Sequence, residues 1–444
     1  MLSKMETVFK RALEQIIPTD EELMKINEIV EVVKVLLKEG AEGLGVRYTK
    51  IEPQGSTGIK QTQLRDDFDI DLFIGLPHEP YAEKFKELSR TQFKKSIKKD
   101  FKTLCKEWII PSLKLKEFKD PKLLYAEHPY VTVDFVEPQD NLKIKLDIVL
   151  YFDINKEYIL KNGPITAVDR SPWHGRFVRD NLTRKQKNDV RLLKQFFKAC
   201  HSYGDKSAVG RVGFIGYSAE LLIYHFDDLK TCLQAFHALH ENPLDYFGRN
   251  EEQLDEIPHF RNDYLIITDP IDDNRNVASA ISGKAYRYVR HRVSEFLKDP
   301  NEAYFEITPI PEVNGNDFTH YFILEAESPS EDVHYTVFRD KLYSLADSIR
   351  ARGEREFTHE ERFGSIQFEV YFEQERDQYD VTFFCEKPVI SKAYGRRGPP
   401  LKAEKHVKKF KRKNPDHFER DGYVWTKTTR PYHEFLRFLD DIVQ

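Results

Sequence analysis

The sequence predicts an α+β chain of several domains. Apolar and polar residues alternate in strand fashion through much of the first part up to about Leu150, helical spacing takes over beyond Gly163-Pro164, and strand-like runs return from about Phe305. At 444 residues one compact unit is not expected. The expected division is a head over 1–155, a helical neck over 156–280, and an α/β body and tail over 281–444.

The first expected helix has Thr19 or Asp20 as N-cap, Glu21 and Glu22 in its first turn, and Ile26, Ile29, Val30, Val33 and Leu36 as its apolar stripe. A strand follows in which Phe68, Ile70, Leu72 and Ile74 share one face and Asp69 and Asp71 project together from the other. Lys94, Lys95, Lys98, Lys99, Lys102 and Lys106 lie opposite Phe93, Ile97, Phe101, Leu104 and Trp108, the pattern of a packed surface helix. Two more alternating runs close the head. In Lys143–Leu150 the apolar face leaves Asp147 on the other side; Asp134, within Tyr130–Phe135, competes for the same role, and Asp147 is preferred. The neck pattern appears in Val190, Leu192, Leu193, Phe196 and Phe197 and again over Ala219–Phe226, and is expected to be all helical. In the last part Tyr321–Leu324, a helix with Leu342, Leu345 and Ile349, then Ile366–Phe372 and Tyr379–Phe384 give a β-α-β-β order.

The chemistry is concentrated around Gly55-Ser56 and Asp69-Ile70-Asp71. A glycine permits close backbone approach, and the following N–H and hydroxyl can donate to phosphate oxygens, with Lys60 or Arg65 adding positive charge. Paired carboxylates are costly unless cations neutralise them, and hard oxygen ligands suit Mg²⁺ bridging a triphosphate. With Asp147 as a third acid, the pattern points to two-metal nucleotidyl transfer, in which positioning and charge neutralisation do most of the catalysis. Strand aspartates more often only solvate a sheet edge, and the Gly-Ser pair upstream is what favours the catalytic reading.

Composition narrows the setting. Hydrophobic content of 40% and charged content of 32%, with no long apolar run, exclude a membrane role. Cys105, Cys200, Cys232 and Cys385 lack disulfide or metal spacing and no signal-peptide core is apparent, so a reducing cytoplasm is expected. A net charge of -5 means that any polyanion must be met by a local patch. One such patch runs from Glu386 to Lys413, with eleven basic residues, among them Arg396, Arg397, Lys408, Lys409 and Lys411, and only Glu386 and Glu404 as acids. Gly395-Arg396-Arg397-Gly398-Pro399-Pro400 is expected to form a rigid loop before a basic helix.

Further segments carry a specific resemblance: Ile17-Pro18-Thr19 with Glu21-Glu22, Ala126-Glu127-His128-Pro129-Tyr130, Ala167 to His174, Val190 to Lys194, Asp269-Pro270 with Asn274 to Ala278, and Arg397-Gly398-Pro399-Pro400. Together with Gly55-Ser56 and the aspartates, they resemble the archaeal-type (class I) CCA-adding tRNA nucleotidyltransferases over essentially the full length. The resemblance implies a polymerase β-like palm. It makes Asp69, Asp71 and Asp147 the Mg²⁺ ligands and Ser56 a triphosphate contact. Lys60 stands where the family usually has arginine, in a loop one residue longer by Thr57 or Gly58. His174, Lys194 and Tyr203 match residues that hold the nucleotide's phosphates and sugar, and Arg275 with Asp269 matches a pair shaping the base pocket. The implied substrates are CTP, ATP and tRNA lacking all or part of its 3′ CCA, with the acceptor arm on the basic C-terminal surface; a homodimer is also among the implied assemblies. The competing readings are another template-independent RNA-tailing or signalling nucleotidyltransferase, and a non-catalytic RNA-binding protein on the same fold.

Overall fold

A computed structural model describes residues 3–67, 69–84, 88–125, 128–137, 142–309, 319–326, 335–373 and 378–443. Phe68, Ala126 and Glu127 therefore lie outside the described residues. The chain forms two compact units, residues 1–204 with 212–307, and 205–211 with 308–444.

The first unit opens with a helix over Lys4–Ile16 that the sequence reading did not anticipate. The expected helix spans Asp20–Leu44; the Thr19 hydroxyl accepts from the Glu22 N–H and the Glu22 carboxylate accepts from the Thr19 N–H, a reciprocal cap. Five strands follow: β1 (Lys50–Gln54), β2 (Ile70–Leu76), β3 (Phe118–Tyr125), β4 (Pro129–Val136) and β5 (Lys143–Phe152). They pair in the order β1-β2-β5-β4-β3, with β2 and β5 parallel and the other pairs antiparallel, so the sheet is mixed. The parallel pair needs a crossover, supplied by helical segments and the β3–β4 hairpin between them.

One face of this sheet is core. Ile70, Leu72, Ile74, Ile144, Leu146 and Ile148 are buried against Val33, Leu37, Ile97, Phe101 and Trp108. Each such side chain contributes roughly 1.5–3 kcal/mol, so a one-residue slip of β2 or β5 would turn three of them outward and forfeit several kcal/mol. Burial on this face therefore fixes what projects from the other. The expected strand through Asp69 is shorter than the pattern suggested: β2 begins at Ile70, leaving Asp69 exposed just before it.

The remainder of the unit is mostly helical, including Ser171–Asn181, Arg184–Ala199, Gly216–Phe226 and Gly283–Lys298. It is not all helical as expected. Thr268–Asp269 (β6) and Asp272–Asn276 (β7) form a short antiparallel hairpin, because Pro270 lacks a donor and cannot carry a helix through the segment.

In the second unit Tyr321–Ala326 (β8), Ile366–Glu373 (β9) and Gln378–Cys385 (β10) form a sheet in the order β8-β10-β9, with the helix Tyr335–Glu354 between β8 and β9 in sequence. The expected β-α-β-β order is present. A second sheet joins β11 (Ala393–Pro400), β12 (Phe418–Arg420) and β13 (Tyr423–Thr429) in the order β11-β13-β12. The expected Gly395–Pro400 loop is thus an edge strand. Register shifts between Arg397 and Pro400, where prolines cannot donate to the ladder and an edge tolerates their loss.

Candidate active site

The polar face of the first sheet carries the acids. In the parallel ladder Asp71 pairs with Asp147, and across the antiparallel neighbours Gln54 pairs with Asp71 and Thr132 with Asp147. Adjacent strands lie about 4.8 Å apart, so the two carboxylates are forced together. Asp134, the competing candidate, sits opposite Lys145 and ion-pairs with Lys143 at 2.8 Å. Burial, with Asp147 and then Asp69 nearby, pushes the Asp71 carboxyl up to about 7. Lys145 donates to Asp147 Oδ2 at 2.9 Å, while Asp147 Oδ1 is buried and bonded to nothing among the described residues.

A cavity of about 420 Å³ opens at these acids, and its wall includes Gly55, Lys60, Asp71, Tyr130, Asp147 and His174. Gly55 has φ 68° and ψ -164°, a region reserved for glycine, and a Cβ there would lie 2.2 Å from Asp71 Oδ2. Only a residue without a side chain lets this backbone approach the carboxylate. Ser56 opens the turn Ser56–Lys60, which is closed by the Thr62 N–H donating to the Ser56 carbonyl at 3.0 Å. Thr57, within this turn, donates from its hydroxyl to the Asp69 carbonyl at 2.7 Å and so ties the turn to the residue just before β2.

Behind the loop lies a charge cluster that the sequence reading missed. Lys60 donates to Glu220 Oε2 at 2.6 Å and stands 4.7 Å from the Tyr217 ring centre. Glu220 Oε1 accepts from the Thr62 hydroxyl at 2.7 Å and lies 3.5 Å from Lys194. Burial alone would raise the Glu220 pKa; Lys60 and Lys194 hold it below the usual carboxylate range. Lys194 is only 3% exposed, donates to the Thr62 carbonyl and hydroxyl, and is pushed down to about 8 by burial against the opposing pull of Glu220. A Cβ on Gly216 would meet both the Tyr203 hydroxyl, at 3.1 Å, and the Lys194 side chain, which places these two expected nucleotide contacts together beside Glu220. The available signal was Glu220 itself, an acid in an otherwise apolar helix, which demands a buried cation.

His174, Asp269 and Arg275 are brought together as a second cluster. Asp269 is fully buried and accepts from His174 Nε2 at 2.7 Å, Arg275 Nη1 at 2.9 Å, the Tyr217 hydroxyl at 3.2 Å and the Ile271 N–H at 3.0 Å. Burial would raise its pKa, but these donors, His174 foremost, hold it well below the usual range. Burial lowers the His174 pKa, so near neutral pH the imidazole is neutral and donates through Nε2. Its ring stacks on Tyr217 with centroids 4.2 Å apart. The helix carrying His174 is locked to the end of β5 by Asp169, which accepts from the Phe152 N–H at 2.9 Å and from Thr166.

The donor set suits divalent ions: clustered hard oxygens, one of them orphaned and buried, and one carboxyl destabilised by its neighbours. Among the described residues no group of three or more histidine, cysteine, aspartate or glutamate side chains is arranged to hold a metal ion.

In the second unit, Arg396 and Lys409 line a cavity of about 520 Å³ with His406, Lys413 and Asn414, and Arg396 donates to Asn414 at 2.8 Å. Arg397 lies 4.9 Å from the Tyr423 ring centre, Lys411 is tied to Glu419 at 2.6 Å, and Lys408 is exposed on the helix Glu404–Lys413. No helix among the described residues is long and apolar enough to cross a membrane.

Residues 188–306 match the family described as tRNA nucleotidyltransferase, second domain. The chain is 30% identical to a CCA-adding enzyme of Thermococcus kodakarensis over 68% of its own length and 60% of that enzyme's. It is 28% identical to a CCA-adding enzyme of Archaeoglobus fulgidus, covering 93% of this chain and 83% of the relative. With that of Methanothermobacter thermautotrophicus the identity is 26%, over 99% of this chain and 88% of the relative. A solved structure of Cid1, described as having RNA terminal uridylyl transferase activity, aligns at 13% identity with a TM-score of 0.48 over 69% of this chain and all of that one. The chain thus carries the second domain of a tRNA nucleotidyltransferase and is similar along most of its length to several archaeal CCA-adding enzymes, at 26–30% identity.

Proposed function

We propose that this protein adds and repairs the 3′-terminal CCA of tRNA from CTP and ATP without a template. The observation that carries the reading is the Asp71–Asp147 register pair on the wall of a cavity shared with Gly55, Lys60 and His174. The names of the similar archaeal proteins supply the reaction class.

Asp71, Asp147 and Asp69 would hold the divalent ions, with Mg²⁺ the expected species for hard oxygen donors. When bound, such ions lower the pKa of an attacking hydroxyl and offset charge on the triphosphate. In the reaction the tRNA 3′-oxygen forms a bond to the α-phosphorus, the α–β phosphoanhydride bond breaks, the hydroxyl proton is released and pyrophosphate leaves. Gly55 admits the triphosphate close to the backbone, and Ser56 donates to it. Lys60 is held at the cavity wall by Glu220, with Lys194 and Tyr203 supporting that wall from behind. His174 and Arg275, fixed by Asp269, orient the nucleotide, and a base whose hydrogen-bonding edge goes unmatched there is rejected because buried polar groups would be left unpaired. The basic surface carrying Arg396, Arg397, Lys408, Lys409 and Lys411 meets the tRNA backbone. Four buried, unpaired cysteines fit a reducing cytoplasm.

The test offers transcripts ending before CCA with CTP and ATP separately and together. Ordered addition that stops after A is expected; homopolymer tails, or no incorporation, would overturn the assignment.

A further inference from the structure

The second unit holds a cavity of about 790 Å³ that the reaction above does not use. Phe357 lines it and is 100% exposed, an unusual setting for a large apolar ring. It is not on a loose loop. The turn beneath it closes through the Glu356 N–H donating to the Glu360 carbonyl at 2.7 Å and the His359 N–H donating to the Glu356 carbonyl at 2.9 Å. Glu356 is buried and accepts from Arg430 Nε at 2.6 Å; Arg430 also donates to Ser391 and Ala393. The Glu360 carboxylate accepts from the Arg397 N–H at 2.9 Å. These bonds fix the turn to β11 and to the segment before it, with the ring held out in solvent.

Arginines outnumber acids on this cavity wall, Arg352, Arg355 and Arg362 against Glu354 and Glu356. Arg352, in the last turn of the helix Tyr335–Glu354, and Arg355 are both exposed and line the same cavity. The acids beside them are engaged: Glu356 by Arg430, and Glu354 by the Ile366 N–H at 3.0 Å. An exposed aromatic ring and two guanidinium groups on one cavity wall match one ligand chemistry, a ring that stacks and an anion attached to it. We infer that this cavity takes an unstacked nucleotide of bound RNA, its base on Phe357 and its phosphate between Arg352 and Arg355. The inference deepens the tRNA reading and rests on it for the identity of the RNA.

The test measures binding by fluorescence anisotropy for the parent, Phe357→Ala, Phe357→Trp and the double variant Arg352→Glu with Arg355→Glu. The probes are a tRNA transcript lacking CCA, a fully paired blunt duplex with the acceptor-stem sequence, and CTP or ATP alone. Phe357→Ala should weaken transcript binding about tenfold, the scale of one lost base–aromatic stack, and leave the blunt duplex unchanged. Phe357→Trp should restore binding, and the double charge reversal should weaken it with a shallower salt dependence. Since Phe357 is fully exposed, loss of folding is not expected on truncation. Unchanged transcript affinity for Phe357→Ala would overturn the inference, as would an equal loss on the blunt duplex or an effect confined to free nucleotides. CCA addition by the parent, assayed on the same preparation, fails or succeeds independently of the Phe357 comparison.

Discussion

Replacing Gly55 by alanine tests whether the active site depends on backbone approach to a carboxylate. The new Cβ would stand 2.2 Å from Asp71 Oδ2, where ordinary contact begins near 3.4 Å, so the carboxylate or the loop must move by roughly 1 Å. The backbone there, at φ 68° and ψ -164°, adds strain of about 1–3 kcal/mol for any residue other than glycine. A displacement of that size at a reacting centre costs on the order of 10²-fold in rate. The assay is single-turnover CMP incorporation into a transcript ending before CCA, beside urea unfolding of the same preparation. Gly58→Ala is the control: its Cβ would lie 2.5 Å from the Pro53 carbonyl carbon, so it strains the same loop without pointing at the acid. The alanine at 55 should lose about a hundredfold in turnover, and the control much less for a similar loss of stability. Near-parental turnover by a folded Gly55→Ala protein, or equal losses in both variants, would refute the argument.

Asp147→Asn should lower turnover on the order of 10³-fold, about 4 kcal/mol of transition-state stabilisation, yet leave stability in chelator the same or higher, because it removes a charge that repels Asp71; lower stability in chelator would mark Asp147 as structural. Lys194 titrates near 8 when folded against 10.5 in the reference state, so between those values the unfolded chain holds more protons and this group's contribution to stability rises with pH. Lys194→Met should therefore flatten the pH dependence of the urea midpoint across that window, by up to about 1 kcal/mol per pH unit, and an unchanged slope would count against a buried ammonium. Neutralising Lys408, Lys409 and Lys411 should weaken tRNA binding and reduce its salt slope by about one unit per lost phosphate contact, with Lys409 contributing more than Lys411, which is already tied to Glu419. Identical salt slopes would make this face solvated surface only.

The parts of the molecule that could be read in the sequence are those where one local rule decides the outcome. Alternation alone placed Asp71 and Asp147 on the same side of their strands, since Ile70, Leu72, Ile74, Ile144, Leu146 and Ile148 had to face inward. The helix start was legible from Thr19 and Asp20 ahead of Glu21 and Glu22, with Thr19 the one of the two that caps. What escaped depends on non-local pairing. Nothing within Gly216–Phe226 names Lys60 or Thr62 as the partners of Glu220, and the bond from His174 to Asp269 spans two distant segments. Asp269 and Arg275 were legible as a pair through the family resemblance, but the hairpin that holds them was not. The strand at Ala393–Pro400 was misread because its prolines argue against pairing, and only its place at a sheet edge makes them tolerable.

The parallel alignment of β2 with β5 has a consequence for how activity arises as the chain folds. Neighbouring residues cannot assemble the two acids; a helical crossover and a complete hairpin must first be accommodated before the second strand reaches the first. A molecule in which β5 has not yet reached β2 therefore lacks the Asp71–Asp147 pair altogether, so the pair is a property of the completed sheet and not of either strand.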